Sequence, residues 1–94
     1  MKKNNVILAL ERILGIEFIN GFKSSRLLAF GYVPRENHLY VVYKSYKIYR
    51  YYNVTQEVYD NLLEVIRNKE SVGKAIGKYV IEPGFTYVEV ELTK

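Results

Sequence analysis

Apolar residues at Val6, Ile7, Leu10, Ile13 and Leu14 recur at the spacing of one helix face. Asn4 or Asn5 can accept hydrogen bonds from the free N–H groups at the start of that helix, and Gly15 can end it. From Arg26 the period falls to two. RLLAFGYV predicts a strand. PREN predicts a turn, because Pro34 sets φ and Asn37 tolerates tight geometry. HLYVVYK predicts a second strand and, after a short turn at Ser45, YKIYRYY a third. The helical period returns with Val54, Val58, Leu62, Val65 and Ile66. Asn53 or Thr55 can cap this helix, Glu57 and Asp60 suit its positive N-terminal end, and Asn68 can close it. SVGKAIGKYVI predicts a further short helix with Ser71 as cap. Its two glycines, Gly73 and Gly77, are expected to permit a close backbone approach. Pro83-Gly84 turns the chain into FTYVEVEL, a half-exposed strand with Thr86, Val88, Val90 and Leu92 inward and Tyr87, Glu89 and Glu91 outward.

The expected order is α-β-β-β-α-α-β. It describes an α+β fold: an antiparallel meander of three strands plus a C-terminal strand, packed on one face against two or three helices. Alternation places Tyr46, Ile48, Arg50 and Tyr52 on one face of the third strand and Lys47, Tyr49 and Tyr51 on the other, without deciding which face the helices cover. A chain of 94 residues with 49% hydrophobic and 26% charged positions is expected to be a single domain, 1–94, with one modest core. No stretch approaches the ~20 apolar residues of a membrane span. The apolar run from Val6 to Leu10 is broken by Glu11 and Arg12, too early for a secretory leader. There is no cysteine, so disulfides, thiolate metal sites and cysteine nucleophiles are excluded. A cytoplasmic protein without a membrane partner is expected.

Charge sharpens the picture. The formal net charge is +4. The segment 21–52 carries Lys23, Arg26, Arg35, Lys44, Lys47 and Arg50 against the single acid Glu36, whereas Glu82, Glu89 and Glu91 make the C-terminal end acidic. The basic third is also the tyrosine-rich third: YKSYKIYRYYNV interleaves five tyrosines with three basic residues. Such rings can seal a small core, with their hydroxyls at its rim. They can also stack on bases beside cations that contact phosphates.

Several short motifs follow one another between residues 22 and 81: Ser24-Ser25, Gly31-Tyr32, a strand with Leu39 and Val41, Tyr49-x-Tyr51, Val54, a helix with Tyr59 and Leu62-Leu63, and Ser71-x-Gly73-Lys74. In order and spacing they resemble the KTSC domain, a module at the C-terminal end of some lysyl-tRNA synthetases that also occurs alone. Thr55 stands where the family often has proline, and YKSYK lacks the glycine that commonly precedes the Y-x-Y strand. Residues 1–20, as an N-terminal helical extension, and 82–94, as a C-terminal strand, lie outside the 22–81 core. The resemblance implies RNA binding, carried onto Tyr49 and Tyr51, with Ser25 and Lys74 as pocket positions.

The nucleic-acid candidates are therefore Lys44, Lys47, Tyr49, Arg50 and Tyr51, and the candidates for holding an anion are Ser25, Ser71 and Lys74. No catalytic group, metal site or cofactor is expected. His38, the sole histidine, is expected at the surface beside a turn, and Ser24-Ser25 near Lys23 lacks any base or oxyanion pattern. Glu89 and Glu91 read as a solvated edge, and GKAIGK lacks the spacing of a phosphate loop. The expectation is a non-enzymatic module binding RNA or single-stranded nucleic acid through a tyrosine- and lysine-rich sheet surface. The alternative is a protein-interaction adaptor acting through an edge strand or the N-terminal amphipathic helix, with a homodimer compatible with the exposed last strand.

Overall fold

The structure is a computed structural model and describes residues 4–92. The expected N-terminal helix is α1, Asn5–Leu14. Asn4 caps it, its Oδ1 accepting from the Ile7 N–H at 3.0 Å, and Gly15 ends it at φ 71°. A two-residue strand that periodicity did not signal, β1 (Ile19–Asn20), precedes the meander β2 (Leu27–Val33), β3 (His38–Tyr43) and β4 (Ile48–Tyr51). Then come α2 (Gln56–Arg67), α3 (Val72–Ile76) running into a π-helical turn over Gly77–Ile81, and β5 (Tyr87–Val90). The single helix expected over 71–81 thus changes its winding at Gly77.

The five strands form one antiparallel sheet in the order β1-β2-β3-β4-β5. The β2–β3 turn is PREN, with Asn37 at φ 57°. The Tyr32 hydroxyl donates to the Val54 carbonyl at 2.7 Å and lies 3.0 Å from Asn37 Oδ1. The Asn37 carbonyl accepts from the Val54 N–H at 2.9 Å. These bonds fasten the approach to α2 onto the first hairpin.

The helices lie on both faces of the sheet, not on one. Phe30, Tyr32, Leu39, Val41 and Tyr51 point to the side covered by Leu62 and Val65 of α2, Val72, Ala75 and Ile76 of α3, and Val80. Ala29, Val33, Tyr40, Val42 and Ile48 point to the side covered by Ile7 and Leu10 of α1 and by Phe18. A β-bulge serves both layers. Leu27 pairs with Tyr43 and Ala29 with Val42, so Leu28 is the extra residue. Leu27 joins the α2 core while Leu28 and Ala29 both face α1.

Four inward expectations fail at the margins: besides Ile13 and Val88, Thr86 and Leu92 are exposed. Ile13 is 68% exposed, because α1 presents only Ile7 and Leu10 squarely to the sheet. Val88 is 39% exposed, because α1 does not reach over the β5 edge. The glycines also trade places. A Cβ on Gly77 would meet nothing within 4 Å, and one on Gly73 would make only ordinary contacts. Gly31 is the position of close approach: a Cβ there would stand 2.8 Å from Phe18 Cδ1. Phe18 is itself buried, so its ring has little room to yield.

Gly31→Ala should therefore destabilise the protein by about 1–3 kcal/mol, the usual range for overpacking. In Phe18→Ala/Gly31→Ala the two losses should add to less than their sum, since the clash is gone. Urea denaturation of the three variants checks both expectations.

Candidate nucleic-acid interface at the tyrosine-rich hairpin

Tyr49 and Tyr51 alternate with Arg50 along β4, so the rings lie on the α2 side and the guanidinium on the α1 side. Register completes each group. Tyr49 sits opposite Val41 and Glu89, and Tyr51 opposite Leu39 and Tyr87. The Tyr49 ring centre is 5.3 Å from those of Tyr43 and Tyr87, and Tyr51 is 5.3 Å from Tyr87. Four tyrosines thus form a continuous aromatic seam over β3, β4 and β5. Tyr51 is only 4% exposed and Tyr49 is half-buried, while Tyr87 is 55% exposed and forms the outer wall. Burial, and then a hydrogen bond with Tyr43, pushes the Tyr51 phenol well above its ordinary titration range. Burial also raises Tyr59, whose ring stacks on Tyr32 at 5.0 Å, and Tyr32 itself.

On the opposite face Arg50 Nε and Nη2 donate to the Tyr52 hydroxyl at 3.1 and 2.8 Å, and Nη1 donates to the Tyr40 hydroxyl at 3.4 Å. The hydrogen bonds to these two hydroxyls, Tyr40 first, hold the guanidinium pKa above its ordinary value. His38 packs edge-on against Tyr52 at 4.9 Å, and its Nδ1 lies 3.3 Å from Glu36 Oε1. It is half-buried at the start of β3, deeper than a turn histidine was expected to be.

Lys44 and Lys47 are exposed at the tip joining β3 to β4. The tip is closed by the Tyr46 N–H donating to the Tyr43 carbonyl at 2.8 Å and the Tyr43 N–H donating to the Lys47 carbonyl at 2.9 Å. This closure drives Tyr46 to φ 67°, the left-handed region that glycine adopts without penalty. Tyr46 is 60% exposed, between the two lysines. The five nominated residues therefore occupy three places: the lysines at the tip, Tyr49 and Tyr51 in the seam, and Arg50 on the far face. Tyr46 is not among the candidates read from the sequence. Its sequence signal was the missing glycine in YKSYK, which forces another residue into the left-handed position.

Of the three anion candidates, Ser71 and Lys74 line one open surface cavity of about 420 Å³ with Lys78 and Tyr79, and Ser25 does not. Ser71 Oγ accepts from the Lys74 N–H at 3.2 Å and caps α3. Its neighbour in space is Ser24, whose Oγ accepts from the Leu27 N–H at 3.0 Å and the Arg26 N–H at 3.3 Å. A Cβ on Gly73 would lie 3.7 Å from Ser24 Oγ and 3.9 Å from Ser71 Oγ. Ser24, Ser71 and Gly73 thus lie together in this brace-like corner where the start of β2 meets the start of α3. Among the described residues no three His, Asp or Glu side chains cluster as metal ligands would.

The family model of the KTSC domain matches residues 23–80, the segment from Lys23 before this brace to the end of the helical layer beneath β3 and β4. The chain belongs to the KTSC domain family. Among solved structures it is similar to a crystal structure of a KTSC domain protein from Yersinia pestis, with a TM-score of 0.66 and 22% identity, covering 81% of this chain and 99% of that one. That likeness is one of fold. A comparison with curated proteins gave no match. In this KTSC domain the two tyrosines of the Y-x-Y motif belong to the aromatic seam, and the residue between them faces the other layer.

Two outcomes follow for stability. Tyr46→Gly should raise it by about 1 kcal/mol by relieving the left-handed residue, read as a higher urea midpoint. Stability should also fall as pH rises above about 10, where unfolded tyrosines release protons that Tyr32, Tyr51 and Tyr59 still hold in the native state. Urea midpoints at about pH 9 and pH 11 test the sign, and Tyr51→Phe should shrink the drop.

Proposed function

We propose that this KTSC domain is a small non-enzymatic module that binds RNA or another single-stranded nucleic acid through the tip of the β3–β4 hairpin. The supporting observation is Tyr46, an aromatic residue held in a strained left-handed conformation and exposed between Lys44 and Lys47. Backbone strain at an exposed ring marks a position where something other than stability sets the residue. A ring there can stack on a base, worth about 1–3 kcal/mol, while the lysines neutralise flanking phosphates. Glu89 and Glu91 border the notch on the β5 side of Tyr46 and would turn a polyanion toward the lysines. The Tyr49–Tyr51 seam lies close by in the same hairpin and supplies rigidity, with Tyr87 as its accessible ring. The cytoplasmic placement expected from the sequence belongs to the same proposal.

The alternative, a protein-interaction adaptor, draws support from β5. It is the last strand of the sheet, and Tyr87, Val88 and Glu89 are all exposed. Such a strand can pair with a partner's strand or with a second copy.

The deciding experiment titrates a labelled single-stranded RNA pool at low and moderate salt. Affinity should fall with salt, and Lys44→Ala/Lys47→Ala should flatten that dependence by a slope of about 1.4, as expected for two phosphate contacts on a single strand. Tyr46→Gly should weaken binding by about 5- to 150-fold while the fold stays intact. Absence of binding at low salt, or binding indifferent to these variants, rules the nucleic-acid reading out. Salt-resistant saturation by a protein at fixed stoichiometry would then favour the adaptor.

A further inference from the structure

Arg50 is a half-buried cation whose hydrogen bonds, among the described residues, go only to phenols. Its partners are the hydroxyls of Tyr52 and Tyr40, and its guanidinium carbon lies 5.3 and 5.9 Å from their ring centres. No carboxylate of the described residues pairs with it. The arrangement is rich in donors. A guanidinium has five N–H groups, of which three are engaged here. Each phenol oxygen already accepts from Arg50, which leaves the phenol hydrogens free to donate elsewhere. An oxyanion placed beside this group would meet two open N–H groups and a neighbouring O–H.

Apolar residues surround that seat. Arg50 and Tyr40 line a surface cavity of about 230 Å³ together with Leu10, Ile13 and Leu14 of α1, Val90 of β5, and Leu92. Glu91 also lines the cavity, exposed to water and without an ion pair to Arg50, so its charge opposes an anion there and the arginine–phenol cluster has to outweigh it. The cavity lies where the α1 layer thins toward β5: Ile48 of β4 is still buried with the α1 residues, whereas Val90 of β5 is only partly buried. Ile13 and Leu92 therefore remain accessible although both are apolar.

We infer that this cleft is a binding site for a short aliphatic monocarboxylate, its carboxylate on Arg50 and Tyr40 and its hydrocarbon chain between α1 and β5. Charge complementarity selects the head group, since an unpaired guanidinium is best matched by a planar carboxylate through paired N–H···O bonds. The apolar walls select the tail and disfavour a phosphodiester, which carries no comparable hydrocarbon. Tyr52 acts as a positioning residue, holding the guanidinium through two of its N–H groups. The inference stands apart from the nucleic-acid proposal, because it uses neither lysine of the hairpin tip nor Tyr46.

The test is a titration of the full chain with hexanoate, followed by ¹H–¹⁵N NMR including the Arg50 Nε–Hε signal. Hexanoate should shift that signal and the amides of Leu10, Ile13 and Val90 with a saturable millimolar dependence. Acetate and hexanol, each lacking one half of the ligand, should bind at least about tenfold more weakly. Arg50→Met should abolish the response. Ile13→Asp, at an exposed position that leaves the core untouched, should weaken it severalfold by placing a negative charge at the mouth. The inference is overturned if hexanoate produces no saturable shifts, if hexanol or acetate binds as tightly, or if a folded Arg50→Met or Ile13→Asp variant binds as the parent does.

Discussion

Val41 and Val42 are neighbours in the chain, and neither has any surface left to water. Their side chains point to opposite faces of the sheet, so β3 is buried twice over, once under α2 and α3 and once under α1. An antiparallel sheet often leaves one face wet. This one does not, and the rest of the molecule follows from having to cover both faces with a chain of 94 residues. The bulge at Leu28 lets Leu27 join the α2 layer while Leu28 and Ala29 both face α1. Phe18 packs against Gly31, where the missing Cβ lets the ring approach the strand backbone on the α1 side. Each device carries the chain from one layer to the other with little material.

The tyrosines complete the covering at the edge where the helices run out. On the α2 side Tyr43, Tyr49, Tyr51 and Tyr87 pass from half-buried through buried to exposed, each ring sheltering the next. An aliphatic residue at Tyr87 would expose an apolar edge with nothing to hydrogen-bond water, whereas a phenol offers an apolar body and a polar tip. The same economy appears in the Y-R-Y triplet. Its tyrosines finish one layer, and the arginine between them enters the other and is held there by Tyr40 and Tyr52. The family motifs thus have structural work: Ser24, Ser71 and Gly73 join strand to helix, and Tyr59 stacks on Tyr32 above β2.

What packing does not explain lies outside this frame. Tyr46 carries an aromatic ring on a backbone suited to glycine. Among the described residues Arg50 keeps its charge within hydrogen-bond reach of phenols alone. Ile13, Val88 and Leu92 keep apolar surface in water, at the end of α1, on β5 and just after it. These features gather around β4 and β5, at the hairpin tip and in the cleft beside α1, so binding is sought there and not over the doubly covered centre.

The periodicity of the chain determined most of the elements. The stripes of α1 and α2, the alternation of β2 to β5 and the caps Asn4, Ser71 and Gly15 are local properties, written in spacing and in the conformations that particular side chains favour. The motif order determined the family on the same footing. Tertiary structure alone decided which faces were buried, because Tyr40, Val41, Val42 and Tyr43 read alike on both sides until the helices are placed. It also set the fate of each glycine, since close approach depends on what lies opposite: Phe18 at Gly31, open space at Gly77. Alternation put Tyr46 and Tyr51 on opposite faces, but it could not tell that Tyr51 is sealed in the seam and Tyr46 held out at the tip. Both are tyrosines beside basic residues, and only hairpin closure and the layer beneath β4 separate a ring that packs from a ring left in water.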